Sequence, residues 1–120
     1  MRFLVVAAVI GASFSASPLA AQDNRAAYEV ALKCFIANAS ADSTEQRAGN
    51  ADASARYRAS ARQTFDALVV LGVALGKDRA RIEEDIRVAQ DTELPRMVSD
   101  IAYYRSVIGT CRAYGLMPPA

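Results

Sequence analysis

Only two cysteines, Cys34 and Cys111, occur in this 120-residue chain, and its first residues have the chemistry of an export signal. Arg2 and the amino terminus supply positive charge, and Phe3 to Phe14 is a nearly continuous apolar run. Ser15, Ser17 and Pro18 end that run before the small residues Ala20 and Ala21. Signal peptidase recognises this order of charge, short apolar core and small-residue cleavage site. The run is too short for a spanning helix, which needs about 20 apolar residues. Residues 1–21 are therefore expected to be a cleaved signal peptide that touches the membrane only during export. Residues 22–120 are expected to be one domain, periplasmic or secreted. In an oxidising compartment a lone pair of cysteines is expected to join. A Cys34–Cys111 bond would close a long loop and stabilise by about 4 to 4.5 kcal/mol in the chain-entropy treatment. The chain has no CxxC spacing, so the bond is read as structural, without redox chemistry of its own.

Charge and composition narrow the partners. Fourteen basic and thirteen acidic residues leave a net charge of +1, and Arg2 belongs to the leader, so the mature chain is neutral. A balanced domain has no electrostatic footprint for nucleic acid or an anionic membrane surface. Histidine is absent. Its absence removes most zinc sites, Ser-His and Cys-His catalysis, and histidine-ligated haem. No catalytic, cofactor-binding or metal-binding residue is assigned from the sequence, and no cofactor is expected.

The mature chain reads as helical throughout, with no strand-like alternation. A first helix is predicted from Asp23 or Asn24 to about Ala39. It carries two stripes, Ala27, Ala31, Cys34, Asn38 and Tyr28, Leu32, Phe35, Ala39. Ser40 to Asn50 is polar, contains Gly49 and reads as a loop. The second helix, Ala51 to Leu75, has a bundle seam of Tyr57, Ala61, Thr64, Leu68, Leu71 and Leu75. Gly76 closes it and Asp78 caps the next. A short third helix is predicted from Arg79 to Asp91, with Ile82, Ile86 and Ala89 inward. Pro95 either sits in the first turn of the fourth helix or kinks a continuous one, and the capping chemistry of Thr92 favours the break. The fourth runs to about Tyr114 with a seam of Met97, Ile101, Tyr104, Ile108 and Cys111. Gly115 closes it and Leu116 packs back. The expected fold class is all-α, a small four-helix bundle with a disulfide between helix 1 and helix 4. In an up-down-up-down arrangement Cys34 and Cys111 fall toward opposite ends. The bond then requires a kink at Pro95, an overhang of helix 4, or first and fourth helices that cross or run nearly parallel.

Most polar clusters have a bland reading. Arg56, Arg58, Arg62, Arg79 and Arg81 would make a basic patch, but Arg62 with Asp66 and Arg81 with Asp85 are spaced to pair along a helix. Glu83, Glu84 and Asp85 are consecutive, so they point in different directions. The five tyrosines read as core with hydroxyls at the rim. Asn38-Ala39-Ser40 matches a glycosylation acceptor by chance.

One segment exceeds that expectation. From Ala67 to Gly76 the second helix is apolar on every side, with Val69, Val70 and Val73 beside the seam leucines. Such a helix is either central in the fold or meets a protein partner or a second copy of the chain. Burial within the monomer is the favoured reading, and a homodimer through helix 2 the alternative. Gly72 and Gly76 have the small-residue spacing that permits close helix approach.

The leader ending Pro-Leu-Ala-Ala-Gln, the Ala-Leu-Lys-Cys-Phe of the first helix and the closing Cys-Arg-Ala-Tyr-Gly-Leu-Met resemble small uncharacterised periplasmic helical proteins of GC-rich Gram-negative bacteria. Twelve arginines against two lysines suit such a genome. The resemblance implies a location and no activity. The function expected is a non-enzymatic periplasmic binding or structural module. The alternative is a small ligand- or cofactor-binding protein or enzyme using tyrosine, arginine and carboxylate groups.

Overall fold

Asp78 and Asp100 set the plan of the second half of the chain. Each accepts a hydrogen bond from the backbone N–H three residues on, Arg81 at 2.8 Å and Tyr103 at 3.1 Å, and each starts a helix. In this computed structural model the backbone is described from Arg2 and side chains from Gln22, so the side chains of the predicted leader, residues 1–21, lie outside the described residues. Four helices follow in order: α1 (Arg2–Arg47), α2 (Ala51–Ala74), α3 (Arg79–Ser99) and α4 (Ile101–Ala113). Gly49, Gly76 and Gly115 take positive φ two residues past the ends of α1, α2 and α4. Their lack of a side chain lets the chain reverse there. The all-α class and the bounds of α2 agree with the sequence reading.

Two boundaries differ from it. The polar segment after Ala39 is not a loop; α1 continues through it to Arg47. Ala41 is buried there and Asp42 receives the Ser54 hydroxyl at 2.5 Å and the Arg58 guanidinium at 3.3 Å from α2. A polar outer face does not end a helix whose inner face is packed. Likewise Thr92 caps nothing. Its hydroxyl donates back to the Val88 carbonyl at 2.9 Å, and α3 passes through Pro95 to Ser99. Proline removes one backbone hydrogen bond, and burial of Met97 in the core offsets that loss. The break falls at Asp100, whose backbone leaves helical geometry at φ −128° and ψ 97°. Met97 therefore belongs to α3, and Ile101, restarted in a new phase, is exposed. The buried positions of α4 are Val107 and Cys111, with Tyr104 and Ile108 half-buried.

The central helix is α1, not α2. Tyr28, Ala31, Leu32, Cys34, Ile36, Ala37, Asn38 and Ala41 are all buried. At 3.6 residues per turn they cover most of its circumference. Its small side chains let three helices pack around it. Along α1 and α2 the contacts run in opposite order, Tyr28 near Gly72 and Asp42 near Ser54. Along α1 and α3 they run in the same order, Tyr28 to Asp85 and then Ile36 near Leu94. On the α4 side Cys34 is bonded to Cys111 near the helix end, at a Cα–Cα distance of 5.6 Å. Past Gly115, where the chain turns, the Leu116 carbonyl accepts from Asn38. Helix α2 thus runs against α1 and α3 with it, while the break at Asp100 folds α4 back onto α3, Tyr103 donating to Glu93. Because α1 extends past Ala39 to Arg47, Cys34 lies in mid-helix, within reach of the end of α4.

Candidate functional site

Because α1 continues to Arg47 and α3 to Ser99, the two helices extend side by side past the point where the sequence reading ended them. Between them lies an open cleft of about 360 Å³. Phe35, Ile36 and Ala39 of α1 and Leu94 and Val98 of α3 give it apolar walls, with Ser40, Ser43, Arg47 and Gln90 among the lining. Phe35 is braced from behind by Phe65, their ring centroids 6.1 Å apart. Val98 is 77% exposed. A concave, mostly apolar site with a few polar groups is the usual form of a small-ligand pocket, and the volume lies in that range. Arg47, Leu94 and Val98 were missed in the sequence because both helices were ended too early.

The α2 valines do not form the interior. Val70 and Val73 are 70% and 65% exposed and Val69 is half-buried. The expectation that they are buried within the monomer is corrected: the apolar side of α2 that faces the core is the seam of Thr64 and Leu68, and α1 takes the central place. Gly72 does allow close approach, since a Cβ there would lie 2.6 Å from Ile82 Cδ1 and 3.3 Å from Tyr28 Cε1.

The most concentrated polar chemistry surrounds Asp85 at the α2–α3 turn. Its Oδ2 accepts from the Tyr28 hydroxyl and from Lys77 Nζ, each at 2.8 Å, and its Oδ1 lies 3.1 Å from Arg81 Nε. Lys77 Nζ also sits 4.9 Å from the Tyr28 ring centroid, in cation–π range. Burial, then the hydrogen bond to Asp85 and the Asp85 charge, push the Tyr28 phenol well above its ordinary value. Burial alone would raise the Asp85 carboxyl, but hydrogen bonds from Lys77 and Tyr28 and the charges of Lys77 and Arg81 outweigh it and hold the group below the usual carboxylate range. A general acid or base works best near the operating pH. Both groups are moved away from neutrality and satisfied by one another, so the cluster acts as a latch between α1, the turn and α3.

The remaining tyrosines do not converge. Tyr103 donates to Glu93 across the α3–α4 elbow, with the Arg96 guanidinium 3.6 Å from its ring centroid. Burial first, and Glu93 second, raise the Tyr103 phenol. Burial also raises Tyr104, which lies near Tyr57, while Tyr114 is exposed. The arginines are dispersed into pairs, Arg58–Asp42, Arg79–Glu83 and Arg81–Asp85; the Arg62–Asp66 pair expected from spacing is not among them. Glu83, Glu84 and Asp85 turn to different cations, Arg79, Arg87 and the Lys77–Arg81 couple. Asn38 of the glycosylation triplet is fully buried, which keeps it from any glycosyl donor.

Cys34 and Cys111 are joined, as the sequence predicts, and both are fully buried. The bond fastens α1 to α4, and Tyr28–Asp85 fastens α1 to α3. The helix that forms one wall of the cleft is thus held to α4 and to α3, the other wall. No known protein family, curated protein or solved structure matches this chain.

Proposed function

We propose that residues 22–120 form a non-enzymatic binding module of an extracytoplasmic, oxidising compartment, which holds a small apolar ligand in the α1–α3 cleft. The carrying observation is the cleft itself: five apolar side chains on two helices tied to one another, around an open volume of about 360 Å³. A disulfide, and no helix among the described residues long and apolar enough to cross a membrane, are compatible with secretion. Export by the leader to the periplasm of a Gram-negative cell completes the reading. The alternative of catalysis by tyrosine, arginine and carboxylate groups has less support, because the Asp85 cluster is internally satisfied.

A neutral, environment-sensitive dye such as Nile red tests the cleft. Saturable fluorescence enhancement, lost in Val98→Asp and retained in Val70→Asp, is the expected result. Both positions are exposed, so neither change disturbs the core. Absence of saturable binding, or equal binding by the two variants, would contradict it.

The exposed Val70 and Val73 support a second, protein-binding surface on α2, through which two copies would meet. Sedimentation of the protein and of Val70→Lys/Val73→Lys tests it: a dimer that the double variant converts to monomer supports the reading, and a monomer throughout removes it.

A further inference from the structure

Asn38 lies one turn beyond Cys34 on α1, fully buried. Its Nδ2 donates to the Cys34 carbonyl at 2.9 Å and to the Leu116 carbonyl at 2.7 Å, with Thr64 Oγ1 at 3.4 Å. The Leu116 N–H in turn donates to the Cys111 carbonyl at 2.8 Å. These bonds and the disulfide close a single ring: Cys34 to Asn38, Asn38 to Leu116, Leu116 to Cys111, and Cys111 back to Cys34. One side of the ring is covalent and the other is polar.

We propose that Asn38 is a positioning residue for oxidative closure of the Cys34–Cys111 bond. In the dithiol protein its amide clasps the exit of α4 against α1, so the two sulfurs face one another before they are joined. Two closures of one ring each raise the effective concentration of the other, and that coupling is reciprocal. Packing alone does not call for an amide here. A buried polar group is costly unless its hydrogen bonds are made, and Asn38 Oδ1 has no protein partner. An aliphatic side chain would fill the position without that penalty but could not reach both carbonyls as a donor.

Closure is a thiol–disulfide exchange with a low-molecular-weight disulfide such as oxidised glutathione. One protein thiolate attacks a glutathione sulfur and forms a mixed disulfide, expelling a glutathione thiolate. The second protein thiolate then displaces the other glutathione, and the two protons from the cysteines end on the two glutathione thiols.

The test is the equilibrium of the mature protein with reduced and oxidised glutathione, read by alkylation and mass spectrometry as the effective concentration of the two thiols. Asn38→Ala should lower it about tenfold, as expected for the loss of one or two buried hydrogen bonds. Gly115→Ala strains the positive-φ turn that presents Leu116, in a place where a Cβ meets nothing within 4 Å. It should lower the value in the same direction, by roughly threefold to tenfold, and carries the test should reduced Asn38→Ala fail to fold. A purely structural role would lower the melting temperature of both redox forms and leave the effective concentration within twofold of the native value in each variant. That result would overturn the proposal.

Discussion

Gly72 of α2 faces Ile82 of α3 so closely that a Cβ on the glycine would stand 2.6 Å from Cδ1 and 2.8 Å from Cγ1. Ile82 is itself buried and cannot swing aside. Overpacking of this kind costs about 1–3 kcal/mol, against which alanine recovers about 1 kcal/mol of helix propensity. Gly72→Ala should therefore destabilise by about 1 kcal/mol in denaturant unfolding. Adding Ile82→Ala, which removes both clashing carbons, should destabilise by clearly less than the sum of the two single changes. Additive destabilisation in the double variant would show that the two residues do not meet.

Tyr28 and Asp85 give the fold a pH signature at both ends of the scale. The Asp85 carboxyl is held below its ordinary range, so its contribution is fully present above the unfolded carboxylate value of about 3.9. It disappears as pH falls through the lower folded value. Asp85→Asn should flatten the acid side of the stability profile relative to the native protein. The raised Tyr28 phenol contributes fully below about pH 10 and loses its contribution as pH climbs toward the folded value. Tyr28→Phe should remove that alkaline loss while costing about 1 kcal/mol at neutral pH for the missing hydrogen bond. Stability measured from pH 2 to 11 checks both; unchanged profiles would contradict the latch.

Replacing both cysteines by alanine should lower stability by up to about 4 kcal/mol without changing helical content, since the bond acts mainly on the unfolded chain. In the native protein, neither sulfur should react with a thiol reagent or a reductant until the fold opens, because both residues are fully buried. Circular dichroism melts with and without reductant measure the difference. Equal melting temperatures would mean the tie contributes nothing.

Val70→Lys and Val73→Lys should each change stability by less than about 0.5 kcal/mol, as expected for exposed positions away from caps and core. A loss of more than about 2 kcal/mol, the range of a truncated core side chain, would place these valines inside the fold.

The sequence was most legible where one residue decides the backbone. Gly76 and Asp78 fixed the α2–α3 turn, and Gly115 the end of α4, because positive φ and N-capping are local chemistry. It was least legible where tertiary packing overrode local signals. Ser40 to Arg47 looks like a loop in isolation and is helical because Ala41 and Asp42 meet α2. Pro95 looks like a terminator and is carried within α3 while Met97 anchors the turn. Those two extensions create the cleft, so the apolar walls at Leu94 and Val98 could not be read from the chain. The cysteine pairing was legible from compartment chemistry, but the length of α1, which leaves Cys34 in mid-helix beside the end of α4, was not. The central place of α1 was hidden by alanines, which are weakly hydrophobic yet are what a helix needs to be surrounded.

The most direct test is the intact mass of the exported protein, alkylated without reduction. A leader-cleaved domain tied through its first and last helices predicts the mass of residues 22–120 less two hydrogens, with no alkyl group added. A mass that retains the leader, or one carrying two alkyl groups on Cys34 and Cys111 in a folded protein, would contradict it.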